Sequence, residues 1–231
     1  MLDYILYLLC ICAIIMSIAA QFKVNSAFNK YSSVYTRGGR ASEVARRMLD
    51  SAGLYHVRIE RIRGSLTDHY DPRDEVLRLS DSVYDSPSAA AVGVAAHEAG
   101  HAIQHATGYL PIKIRSALVP ATGFASRFAW IAIILGTLFM AMDFLLGYYV
   151  TLAGATLFAV IALFQLVTLP CEFDASARAM KALESFGAYS SNELYASRKV
   201  LTAAALTYVA SFAVTALQLI RLLLRLNNRR R

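Results

Sequence analysis

The chain has 231 residues, a net charge of +7 and a hydrophobic fraction of 57%, with a mean hydropathy of +0.45. That apolar share exceeds what a water-soluble domain carries, and it is gathered in blocks, which points to membrane spans rather than to one large core. The charge does not imply nucleic-acid binding: 13 of the 23 Lys and Arg lie between Lys23 and Arg115 and five in the last eleven residues, flanking apolar runs as suits anionic lipid headgroups, with no interleaved aromatic motif.

In chain order, Tyr4 to Phe22 is an uncharged stretch of 19 residues, long enough to cross a bilayer. No Lys or Arg precedes it, whereas Lys23 and Lys30 follow it, so it reads as an uncleaved anchor (residues 1–22) with the following segment in the cytoplasm. Residues 23–115 form a polar segment, expected to be a small α+β catalytic region. Within it, Ser42 is placed to cap a helix over Glu43–Ala52 that Gly53 closes. Val57 and Ile59 alternate with Arg58 and Glu60 as in a half-buried strand. A turn-rich stretch from Gly64 to Asp74 follows, and then a second strand at Val76–Leu79, expected to offer its edge to an extended peptide. Ser86-Pro87 marks the start of a helix that runs through His97 and His101 to Thr107 and ends at Gly108.

Beyond Arg115 the chain turns apolar, and from Phe128 to Cys171 its only charged residue is Asp143. Residues 116–170 therefore predict a transmembrane hairpin, with arms near Val119–Met142 and Tyr148–Leu169 and a turn marked by Asp143 and Gly147. Residues 171–199 hold a further helix beginning at Glu172. Residues 200–231 give a fourth span, Val200–Ile220, and a basic tail. The expected fold is mainly helical and integral to the membrane, with about four transmembrane helices and a small zincin-like catalytic region. Cys10, Cys12 and Cys171 show no disulfide framework.

His97-Glu98-Ala99-Gly100-His101 is an H-E-x-x-H motif on the best-marked helix of the polar segment. Residues four apart share a helix face, so both imidazoles reach one cation. Glu98 projects beside them as a general base for water that zinc has acidified. Two imidazoles and a carboxylate on an otherwise small and apolar helix would be costly to bury without a partner.

A catalytic zinc of this type takes a third protein ligand, for which Glu172, Asp174, His105, His69 and Cys171 are the candidates. His105 lies about 12 Å along the helix from His97, too far for one ion to hold all three histidines. A two-helix hairpin returns the chain to the side it left, which brings Glu172 to the face of His97 and His101. Glu172 is therefore the expected ligand; the competing reading pairs it with Arg178 or Lys181. His105, Asp174, His69 and Arg178 are expected around the ligands without touching the metal. His69, with Asp68 and Asp71, reads either as an oxyanion-stabilising group or as a polar turn bonding its own backbone, and the turn is favoured.

The motif, the hairpin and Glu172-Phe173-x-Ala175 resemble the membrane-bound gluzincin proteases, which include the heat-shock membrane protease and the prenyl-protein protease. More closely, nearly the whole chain resembles the bacterial membrane neutral zinc metallopeptidases. Leu66–Pro72, Ala95–His105 and Glu172–Ser176 carry that likeness. The resemblance implies that His97, His101 and Glu172 bind Zn2+ and that Glu98 is catalytic. Where gluzincins carry an aspartate four residues after the ligand glutamate, this chain has Ser176, which leaves the support of a ligand histidine to another group.

The function expected is hydrolysis of peptide bonds in membrane or membrane-proximal proteins, by a multi-pass protein of the inner cell membrane whose catalytic side is cytoplasmic. Protein or peptide substrates and membrane lipid are its expected partners. The rival readings are a membrane-anchored adaptor with a structural or vestigial zinc site, and a metal-dependent hydrolase of lipidated substrates.

Overall fold

The computed structural model describes residues 2–228, so the Arg229–Arg231 cluster of the expected basic tail lies outside the described residues. The helices outrun the spans predicted for them. Helix α1 (Leu2–Tyr31) continues past Phe22 by two turns, and α4 (Leu110–Ala141), α5 (Leu145–Ser185) and α6 (Ser191–Asn228) all extend beyond their apolar runs. These four are long and apolar enough to cross a membrane. Exposed apolar side chains such as Leu8, Ile15, Ile134 and Leu146 cover their surfaces, as lipid contact requires. The helix expected to begin at Glu172 is instead the last part of α5, which runs unbroken through Pro170. Proline removes one backbone donor, but neighbouring helices can tolerate it at such a place.

The chain divides into two compact units. One comprises residues 1–19, 114–169 and 208–231. Its centre is the α4–α5 hairpin, whose turn has Asp143 in the left-handed region (φ 57°). Gly147 was expected in that turn but lies within α5. A Cβ there would come within 2.4 Å of the Met140 backbone nitrogen, so its missing side chain lets the two arms touch. Gly136 does the same against Thr151, at 2.4 Å.

The other unit comprises residues 20–113 and 170–207. Helix α2 (Ala41–Ser51) buries Ala41, Val44, Ala45, Met48 and Leu49, the stripe a 3.6-residue period places on one side. It starts at Arg40, whose backbone N–H donates to Glu43 (3.0 Å), so the expected cap Ser42 is already inside the helix. Strands β1 (Arg58–Ile62), β2 (His69–Asp71) and β3 (Val76–Ser80) form a sheet in the order β1-β3-β2. β1 runs parallel to β3, and β2 antiparallel with His69 opposite Arg78. β3 is thus the central strand and not an open edge; Val76, Leu77 and Leu79 are fully buried in it. The turn-rich stretch supplied the strand that covers it.

Helix α3 (Ala89–Ala106) is capped by Ser88, whose hydroxyl accepts from the Ala91 N–H (3.2 Å). The predicted cap, Ser86, sits one step out and donates its own hydroxyl to that of Ser88 (3.0 Å). Pro87 favours an extended Ser86 before it, and Ser88 takes the extended conformation of a cap. An alanine-rich surface lets α3 sit deep in the core. Its Gly93 lies against Ser197 of α6, and its Gly100 against the Ala175 backbone of α5, where a Cβ would come within 2.7 Å of the carbonyl oxygen. Ser197 fastens the helix start by donating to the Ala89 carbonyl (2.7 Å).

Candidate metal centre

The close approach at Gly100 sets α3 one backbone width from α5, and the site follows from that. His97 and His101 stand one turn apart on the same side of α3, their rings 4.7 Å apart and nearly perpendicular. Glu172, on the facing turn of α5, puts Oε2 3.2 Å from His97 Nε2 and 3.6 Å from His101 Nε2. The three ligand atoms lie within 4.8 Å of one another, a group that could hold a metal ion. Bonds of about 2.0–2.1 Å in a tetrahedron separate neighbouring ligand atoms by about 3.3 Å, so both carboxylate–imidazole spacings suit zinc.

The outward nitrogens are held as well. Gln104 is fully buried, and its amide NH2 donates to the Cys171 carbonyl and to Asp174 Oδ2, each at 2.8 Å. Both of those partners accept only, so the amide oxygen must face His101 Nδ1, 3.0 Å away. His101 Nδ1 therefore donates to that oxygen, which makes Nε2 the atom that would meet a metal. His97 Nδ1 meets the Ser176 hydroxyl at 3.1 Å. The serine where gluzincins carry aspartate thus reaches a histidine of the motif itself. Neither Ser176 nor Gln104 was singled out from sequence as a supporting group. The signals were present: a glutamine three residues after His101 on an apolar helix, and Ser176 one turn beyond Glu172.

Asp174 lies one step from His101, joined through Gln104, and Arg178 closes the chain by donating to Asp174. The Glu172 carboxylate faces His97 and His101, while Arg178 pairs with Asp174. His105 stands away from the cluster, its ring 5.6 Å from that of Tyr70 on β2. His69 is also apart: exposed, with Nδ1 on its own segment's Thr67 carbonyl (2.9 Å). The favoured polar turn is in fact strand β2: Asp71 accepts locally from the Arg73 N–H (3.0 Å), but Asp68 accepts from the Ser80 N–H of β3 (2.7 Å). Arg78 beside Asp71 holds that carboxyl below its ordinary range.

Glu98 is half-buried beside the histidines. Burial pushes its carboxyl up, while His101 and His97 oppose the shift. Burial would lower His101, but the hydrogen bond to Glu172 and the charge of Glu98 prevail and raise it. Replacing Gln104 with leucine should uncouple His101 from its tautomer and weaken zinc binding about 10- to 100-fold, read by competition with a chelating indicator.

Comparison with known proteins bears on what this centre belongs to. Residues 6–227 match the family described as "Putative neutral zinc metallopeptidase". The protein described as "Putative membrane protease YugP", from Bacillus subtilis (strain 168), is 46% identical over 214 residues, covering 92% of each chain. No solved structure matches the chain. With a match over nearly its whole length, the chain belongs to the neutral zinc metallopeptidase family.

Proposed function

We propose that the protein hydrolyses peptide bonds in membrane or membrane-proximal proteins, using zinc held by His97, His101 and Glu172 with Glu98 as general base. The observation that carries this reading is the convergence of two imidazole nitrogens and one carboxylate oxygen beside a second carboxylate, Glu98, that no metal ligand role employs. Zinc bound there would supply a Lewis acid that lowers the pKa of water toward neutrality. Glu98 accepts the proton of the attacking water and returns it to the leaving amine. Gln104 holds His101 with its Nδ1 proton toward the amide oxygen, and Ser176 orients the His97 ring through Nδ1. The open edge of β2, beside α3, takes the docking role expected of β3, pairing with an extended stretch of substrate. Leu169, at the end of the apolar run, is separated from Glu172 by two residues of one continuous helix. That proximity favours substrates at the bilayer surface.

The test is cleavage of an unfolded protein by the purified full chain, with products identified by mass. New α-amino ends support a peptidase. Zinc binding without new ends would favour the adaptor, and cleavage confined to lipid-modified substrates would favour the alternative hydrolase.

The 13 basic residues between Lys23 and Arg115 favour a cytoplasmic catalytic segment, and four spans then put both termini outside. Cysteines introduced near Arg37 should be shielded from an impermeant reagent applied to intact cells, and those near Arg230 should react. Labelling near Arg37 would overturn that orientation.

A further inference from the structure

The first unit has a cleft of its own, about 140 Å3, between α4, α5 and α6. Its lining includes Thr137, Gln218, Arg221 and Arg225 together with the aromatic Trp130 and Phe158. Gln218, Arg221 and Arg225 recur at helical spacing, one stripe of α6. Leu226 packs with Met140 and Ala155, which places this end of α6 beside the hairpin turn. Arg221 lies seven residues before Asn228, about 10 Å further down the helix. Arg221 and Arg225 directly follow the apolar run Val200–Ile220, so both guanidiniums stand at the end of that span, where anionic headgroups gather.

Among the described residues neither arginine has a carboxylate partner. Arg221 lies over the Tyr7 ring, 4.7 Å from its centroid, which occupies the face of the guanidinium and leaves its edge donors available. Two cations one turn apart repel each other, and an anion shared between them reverses the sign of that term. The cleft joins cationic and amide groups to two aromatic rings that meet edge to face at 5.5 Å. Trp130 is half exposed, so the aromatic part opens sideways onto the lipid-facing surface.

We propose that this cleft binds the phosphodiester of an anionic phospholipid, with Arg221 and Arg225 on the phosphate and the acyl chains lying along Trp130 and Phe158. Guanidinium forks match phosphate oxygens in pairs. A site of this volume takes the headgroup linkage, while the open flank admits the chains. A soluble anion would gain the charge contacts but not the aromatic ones. Bound lipid neutralises two arginines that have no carboxylate partner among the described residues, and fixes the end of α6 against the hairpin. The inference stands whether or not the protein is a peptidase.

The test uses the purified full chain, exchanged with vesicles of phosphatidylglycerol or phosphatidylcholine and weighed by native mass spectrometry. Wild type should retain one phosphatidylglycerol in preference to phosphatidylcholine, and inorganic phosphate should not displace it. The Arg221→Gln/Arg225→Gln variant should lose affinity roughly thirtyfold, about fivefold for each charge. Arg221→Lys/Arg225→Lys keeps the charge and should retain part of the binding if the double glutamine variant does not fold. Neutralising Arg229, Arg230 and Arg231 together should change nothing. Equal retention of both lipids, undiminished binding by the double glutamine variant, or loss on neutralising the tail would each overturn the proposal.

Discussion

Glu98→Gln should lower peptide hydrolysis by roughly 10²- to 10⁴-fold, the usual contribution of a positioned proton acceptor, and leave zinc content unchanged. The amide keeps the size and shape of the carboxylate, so the packing of α3 is preserved, but it cannot take a proton from water. Glu98 is not among the three side chains whose donor atoms converge, so the metal has no reason to leave. Metal analysis and turnover on the same preparation check both halves. If the variant kept near wild-type turnover, Glu98 would not be the base. If it lost zinc and activity together, its role would be that of a ligand.

Glu172→Ala should remove most of the bound zinc, well beyond the roughly 10- to 100-fold loss expected when a supporting group is changed. Its Oε2 is the atom both imidazoles face, at 3.2 and 3.6 Å, and it is the only anionic member of the set. Removing it leaves two imidazoles for one divalent ion. Asp174→Ala is the informative contrast. Asp174 meets Gln104 and Arg178 rather than the cluster, so the variant should still bind zinc, about tenfold more weakly as Gln104 loses one anchor. Dialysis against a buffered zinc series would separate the two. Equal loss from both variants would move the ligand role toward Asp174.

The long apolar helices and the His97 helix were legible because they follow strong local rules: runs of the right length, a serine cap, a glycine stop. The smaller elements were not. β2 is three residues flanked by Asp68 and Pro72, a composition that reads as a turn. What makes it a strand is pairing with β3, which lies beyond any local window. That missed strand is why β3 was expected to be an edge. The boundary expected between Leu169 and Glu172 does not exist, because α5 runs on through both. Glu172 could be placed by counting spans, but Gln104 and Ser176 could not be assigned without knowing that Gly100 brings α3 against Ala175. Their roles depend on a distance between helices, and a sequence period reports only faces.

The most direct test of the central claim is a zinc titration of metal-depleted protein, followed through cleavage of an unfolded protein substrate. Activity should rise with added zinc and level off at one ion per chain, with new α-amino ends appearing in proportion. Saturation with zinc and no cleavage, or cleavage by protein stripped of metal, would contradict the account.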